Sequence, residues 1–188
     1  MAEAFTNKLV RAAGIVSTTD STAAIGANAT AITNIQTANL HVGDLVVSQH
    51  FRAGAKVRTV TNSTSVVIDR ASTNTAAASD QIVKFLGVTT AFTSSGTEKS
   101  ILIGGTFANL TENDVNIYVE IVDQSLAVAG AAGISSVQLA SDIPIPNGSS
   151  FVISEAGKTV LEQNDQVTVY CDTANAVDVT LAILSGVS

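Results

Sequence analysis

Between Asp142 and Gly186 the chain runs as DIPIPNGSSFVISEAGKTVLEQNDQVTVYCDTANAVDVTLAILSG, short alternating stretches broken by turn-forming residues. Val167, Val169 and Cys171 alternate with Thr168, Tyr170 and Asp172, and Val177, Val179, Leu181 and Ile183 alternate with Asp178, Thr180 and Ala182. Successive side chains of a strand point to opposite faces, so a period of two marks strands buried on one face. Pro144 and Pro146 cannot donate into a central ladder and are expected at a sheet edge or in a loop. Cys171 falls in the inward series, as a small buried hydrophobe. Being the only cysteine, it excludes an internal disulfide and a cysteine-based metal cluster.

The same reading over residues 88–188 places strands near Thr89–Phe92, Ser100–Phe107, Val115–Val122, Val137–Leu139, Ser149–Ser154, Gly157–Leu161, Asp165–Asp172 and Val177–Leu184. Short strands spaced by turns fit two packed antiparallel sheets, a sandwich of jelly-roll-like or immunoglobulin-like kind. The run AVAGAAG at 127–133 reads as a loop of small side chains. Upstream, LHVGDLVVSQHFRAGAKVRTVTNSTSVVIDRASTNTAAASDQIVKFLG predicts about four strands, at Leu45–Gln49, Lys56–Thr61, Ser65–Asp69 and Gln81–Leu86, the middle two forming a hairpin around Asn62 and Ser63. Residues 18–39 are rich in Ala, Thr and Asn and read as loop, with one strand at Ala31–Ile35. Residues 1–16 fit either a short helix with Phe5, Leu9 and Ala13 on one face or an arm running into a strand over Lys8–Val16. The second is preferred. The expected fold is therefore all-β, with an arm and small hairpin or barrel module over 1–87 and a sandwich over 88–188.

Charge divides at the same place. Residues 1–87 carry seven Lys and Arg against five Asp and Glu, net +2, whereas residues 88–188 carry two against eleven, net −9. The acidic module would repel phosphates, and the other is too weakly basic for a nucleic-acid surface, so no nucleic-acid partner is expected. Aromatic residues at 4%, with no Trp, leave few flat faces for stacking on sugars or bases. Charged residues at 13% are about half the usual ~25%, which predicts a hydroxyl-rich surface. No run reaches the ~18 apolar residues of a membrane helix, and AEAFTNKLVR is not a signal-peptide pattern. The expectation is a protein made in a cytoplasm without a membrane partner. On that expectation the N-x-S/T triplets at Asn28, Asn62, Asn109 and Asn147 carry no glycosylation.

Catalysis finds no foothold in the sequence. His41 and His50 are the only imidazoles and belong to no nucleophile motif; G-x-S-x-G, P-loop, G-x-G-x-x-G and H-E-x-x-H patterns are absent. The carboxylates Glu112, Asp114, Glu120, Asp123, Glu155, Glu162, Asp165, Asp172 and Asp178 lack calcium-loop spacing and read as a solvated acidic face. No catalytic residue, cofactor or metal is expected. Arg52, Lys56, Arg58 and Arg70 gather around one hairpin, with Lys56 and Arg58 two apart on one strand face. They form a candidate contact for an acidic surface, such as the acidic module of a neighbouring copy.

Two stretches carry a family resemblance. KSILIGGTFANLTENDVNIYVEI, followed by D-I-P-I-P-x-G-S-S, G-K, L-E-x-x-D and D-V-T-L, resembles a pattern of small virion proteins of tailed bacteriophages, especially contractile-tailed phages of marine cyanobacteria. The V-G-D-L-V-x-x-x-x-F-x-A-G-x-K-V-x-x-V hairpin is similar to a small β module of phage virion proteins. The resemblance implies a non-enzymatic structural protein, assembled in the host bacterial cytoplasm and carried on the virion. Its implied partners are other virion proteins, either the major capsid protein or neck and tail proteins, together with copies of itself. A capsid decoration or cement protein comes first among the implied roles. A neck, collar or tail component for fibre attachment comes second. A receptor- or carbohydrate-binding module is an alternative of a different class, for which a β-sandwich is an ordinary scaffold and against which the shortage of aromatics counts. Phe5 and Leu9 in the arm, and Pro144 and Pro146 at the expected edge, are the first interface candidates beside the four basic residues.

Overall fold

In the computed structural model, residues 3–124, 135–154 and 158–187 are described. The chain is all-β, 63% strand, with antiparallel sheets and no helix among the described residues. In chain order the strands are β1 (Ala4–Ala13), β2 (Ile15–Ile25), β3 (Ala31–Thr33), β4 (Leu45–Val47), β5 (Val57–Asn62), β6 (Ser65–Ile68), β7 (Ala78–Gly87), β8 (Thr89–Thr93), β9 (Lys99–Asn109), β10 (Val115–Asp123), β11 (Ser135–Ile145), β12 (Ser150–Ile153), β13 (Thr159–Leu161), β14 (Gln166–Cys171) and β15 (Val177–Val187). They form two units, one of residues 1–14 with 89–188 and one of residues 15–88.

The first unit is a sandwich. One sheet runs β1-β15-β9-β12, with β13 also on β9, and the other runs β11-β10-β14-β8. β12 pairs with Gly105–Ala108 and β13 with Ser100–Leu102, so together they act as one interrupted strand along β9. Numbering only this unit's strands, the sheets read 1-8-3-6 and 2-7-4-5, the order of two Greek keys wound into a jelly roll. Of the two sandwich types the sequence allows, the topology is thus the jelly roll. The inward residues are those the alternation marks: Val167, Val169 and Cys171 of β14 and Val177, Val179, Leu181 and Ile183 of β15, packed with Phe107, Ile117, Val119 and Leu161. All eight strands read from residues 88–188 have a counterpart. The 127–133 loop lies outside the described residues.

The second unit is inserted between β1 and β8. Its sheet runs β4-β7-β2-β3-β6-β5. A bridge between Leu45 and Lys56, with Val46 N–H donating to Ala55 C=O at 2.8 Å and Val57 N–H to Asp44 C=O at 2.9 Å, joins β4 to β5 and closes the strands into a small barrel. Ile25, Ile32, Val46, Phe51, Val57, Val66, Ile68, Val83 and Phe85 fill it. Its first and last strands pair, with Ile15 opposite Gly87, so entry and exit lie side by side. That arrangement suits an insertion.

Three expectations are corrected. Residues 1–14 belong with the sandwich, because β1 pairs with β15 from Ala4–Ser185 to Ala13–Val177. The inserted unit therefore carries five basic and four acidic residues, net +1, and the sandwich unit four and twelve, net −8. The strand expected over Lys8–Val16 is broken at Gly14, whose φ of 121° fits no ordinary strand residue. Residues 18–39 are not mainly loop, since β2 reaches Ile25. Register shifts between Val16 and Thr18 and between Asp20 and Ala23 put Ser17, Asp20 and Ala23 inside, three apart. Bulges thus hide the alternation.

Asp20 also fastens the barrel. Its carboxylate accepts from Thr22 N–H and hydroxyl, both at 2.8 Å, and from Gln36 N–H at 3.0 Å. Burial works to raise its pKa, but these hydrogen bonds outweigh it and hold the carboxyl below the ordinary range. At Asp44 the balance reverses. Burial raises the carboxyl more than His41 N–H and the Ser17 hydroxyl lower it.

Candidate interaction surface on the five-stranded sheet

The inner faces of the sandwich fill its core, and the two outer faces differ in chemistry. Outside the four-stranded sheet, β10 presents Asn116, Tyr118 and Glu120. Tyr118 OH and Asn116 Nδ2 both donate to Asp142 Oδ1 at 2.8 Å, and Gln138 Nε2 donates to Glu120 at 3.3 Å. Glu120 is fully buried. Other carboxylates bind backbone N–H groups: Asp165 those of Gln124 and Glu162, Asp172 that of Asn116, and Asp178 that of Ala12. The expected solvated acidic face is therefore corrected at Glu120 and Asp165, which are buried. Glu155 lies outside the described residues.

Burial is the main cause holding the Tyr118 phenol far above its ordinary value, followed by its hydrogen bond to Asp142 and the charges of Asp142 and Asp172. The unfolded phenol ionises near 10.0 while the folded one keeps its proton. Its contribution to stability is thus complete below that pH and is lost as pH rises past it, by about 1.4 kcal/mol per pH unit. Denaturant titrations from about pH 8 to about pH 11 should show this loss, with a shallower decline in Tyr118→Phe.

The outer face of the five-stranded sheet carries almost no charge. Phe5 of β1 lies opposite Leu184 of β15, which lies opposite Ile101 of β9, which lies opposite Val160 of β13. A second row crosses from Leu9 through Thr180 and Thr106 to Val152. Between them run Asn7, Ala182 and Gly104. Phe5 is 76% exposed, Leu9 71%, Val152 55% and Val160 51%. Charges stand at the ends, as the Lys99–Glu162 ion pair of 3.0 Å, as Asp178 receiving Ala12 N–H at 2.8 Å, and as the exposed Arg11 two residues past Leu9 on β1. Large exposed apolar residues on one face, with charge kept to its ends, mark interaction sites.

Beside Phe5 and Leu9 lies a hollow of about 480 Å³ over β9, β12 and β15, lined by Gly104, Thr106, Val152, Ser154, Thr180 and Ala182, among others. At Gly104 the backbone of β12 comes close, since a Cβ there would stand 2.9 Å from Ile153 O.

The interface residues expected from sequence separate into three places. Phe5 and Leu9 share this face. Pro144 sits opposite Asn116 in β11, an edge strand of the other sheet, and Pro146 follows that strand. Arg52 and Arg70 line one polar cleft of about 690 Å³ in the barrel with Asn28, Asp69, Ser72 and Thr73. There Arg70 pairs with Asp69 at 3.2 Å and donates to Ala53 C=O at 3.1 Å. Lys56 and Arg58 do not share an exposed face: Lys56 is buried and Arg58 exposed, because a bulge between Val57 and Thr59 breaks the alternation.

His41 lies in the turn before β4. The ring of His50 is held by the side-chain amides of Asn74 and Gln81, at 2.6 Å each. Among the described residues no three His, Cys, Asp or Glu side chains gather as metal ligands, and no helix is long and apolar enough to cross a membrane. Sequence reading missed Ile101, Leu184, Val152 and Val160. Their signal was apolar residues at outward strand positions, as in the unbroken ILIGG run after Ser100. Comparison with protein-family models, curated proteins and solved structures finds no match to this chain.

Proposed function

We propose that this protein is a non-enzymatic structural component of a phage virion, a capsid decoration or cement protein that binds and stabilises neighbouring subunits. The observation that carries the attachment reading is the pair of charge-free rows across the outer face of the five-stranded sheet, with Phe5, Leu9, Val152 and Val160 each more than half exposed. Such a face gains free energy by being covered, at ~25 cal/mol per Å² of apolar surface removed from water. On a symmetric shell each gain recurs at every equivalent joint. The virion part of the reading comes from the resemblance of the D-I-P-I-P-x-G-S-S to D-V-T-L stretch. A jelly roll is a scaffold of viral capsid proteins, and of lectins and cupins too, so it adds an analogy of fold only.

Cryo-electron microscopy of phage particles carrying the gene tests the proposal. The expected result is density for the jelly roll at lattice positions of the capsid. A ring at the head-tail joint would replace decoration by a neck role. Particles that lack the chain altogether would remove the virion reading.

A further inference from the structure

Resting on the attachment reading above, we propose that the outer face of the five-stranded sheet is a self-association surface, on which a second copy of this chain packs sheet against sheet about a two-fold axis. Charge selects the occupant. The sandwich unit carries net −8, so two copies repel wherever their carboxylates meet. The Phe5–Val160 and Leu9–Val152 rows hold no charged side chain, and two copies can approach there without opposing like charges.

Relief points the same way. Phe5 and Leu9 form a ridge on β1, and the hollow begins at Thr180 and Ala182 of the neighbouring β15 and reaches across Gly104 and Thr106 to Val152 on β12. A two-fold axis along the strands, between β15 and β9, sets β1 of each copy over β12 of the other. Each ridge then enters the partner's hollow, as an isologous contact requires. At ~4.8 Å between strands and ~3.3 Å per residue, the face projects to about 500 Å². A pair buries about 1,000 Å², the lower bound for a specific interface. That area fits a reversible dimer.

The strand edges argue for the face over strand addition. On the edge strand β1, Lys8 turns inward and its Nζ lies 5.9 Å from the Phe92 ring centroid. On the opposite sheet, Pro144 interrupts the edge strand β11. Inward charges and edge prolines are devices that discourage edge pairing.

Sedimentation velocity of the full chain over a concentration series tests this, with circular dichroism confirming that each variant is folded. The wild type should show a monomer–dimer equilibrium that added salt leaves unchanged or tightens. Leu9→Asp and Val152→Asp, both at exposed positions, should each raise Kd about tenfold or more. Val137→Asp, 67% exposed on β11, should leave Kd unchanged. A wild type monomeric at hundreds of micromolar overturns the proposal, as does a dimer indifferent to Leu9→Asp. A dimer dissolved by salt overturns it too, and marks instead the Arg52–Arg70 cleft seated on an acidic sandwich. None of these results touches the attachment reading, which depends on the chain being found on particles.

Discussion

Gly14→Ala is expected to destabilise the sandwich by about 3 kcal/mol or more, seen as a lower denaturant midpoint with an unchanged slope. Two effects add. At φ 121° a side chain is strained whatever the space around it. A Cβ would also run into the backbone carbonyl of Thr173 and stand 3.0 Å from Cys171 Cβ, and neither neighbour is the loose end of a flexible side chain. Relief by movement is blocked, because Asn175 N–H donates to Gly14 C=O and Ala176 N–H to Ala13 C=O, both at 3.0 Å, clasping the β14–β15 turn to the end of β1. Gly148→Ala serves as the comparison. Its φ is 68° with nothing within 4 Å of the added carbon, so only the backbone term remains, about 1 kcal/mol.

Asn109→Leu should cost about 3 kcal/mol despite a near match in size. The Asn109 amide is almost wholly buried at the end of β9 and uses both ends. Nδ2 donates to Asn113 C=O at 2.7 Å and Ile145 C=O at 2.9 Å, while Oδ1 accepts from Thr111 N–H at 2.8 Å and its hydroxyl at 2.9 Å. Leucine strands these groups at the joint between β9, the following turn and the end of β11. Asn109→Asp supplies a milder test: Thr111 keeps its acceptor, but a carboxylate then faces two carbonyls. Thermal melts of both variants, read beside Asn147→Asp at an exposed turn, would show whether the loss tracks the buried amide.

Alternation was a sufficient guide wherever strands were straight and one face was buried. Val167 to Cys171 and Val177 to Ile183 point inward as their spacing says. It failed where backbone irregularity shifts the phase. β2 passes through three register shifts against β7, so its buried Ser17, Asp20 and Ala23 have neither the period nor the polarity of a strand interior. Lys56 lost its place beside Arg58 to another bulge. The jelly-roll order was beyond local reading, because pairing β1 with β15 depends on contacts far apart in sequence. The candidate surface was half legible. Phe5 and Leu9 stand out in a polar arm, whereas Ile101, Leu184 and Val160 look like core residues until the sheet shows them facing out. Asn109 hid within an N-x-T triplet, its two-ended role visible only once Ile145 and Asn113 lie beside it.

The insertion of a barrel between β1 and β8 sets an order of events in time. Every pairing of the barrel closes within residues 15–88, whereas β1 needs a partner that begins at Val177. Local closure is fast and long-range closure slow. During synthesis the barrel forms while β1, with its exposed Phe5 and Leu9, still has no strand to join. β15, made long after β1, then completes it, so the sandwich closes only once the stretch from Val177 onward has been synthesised.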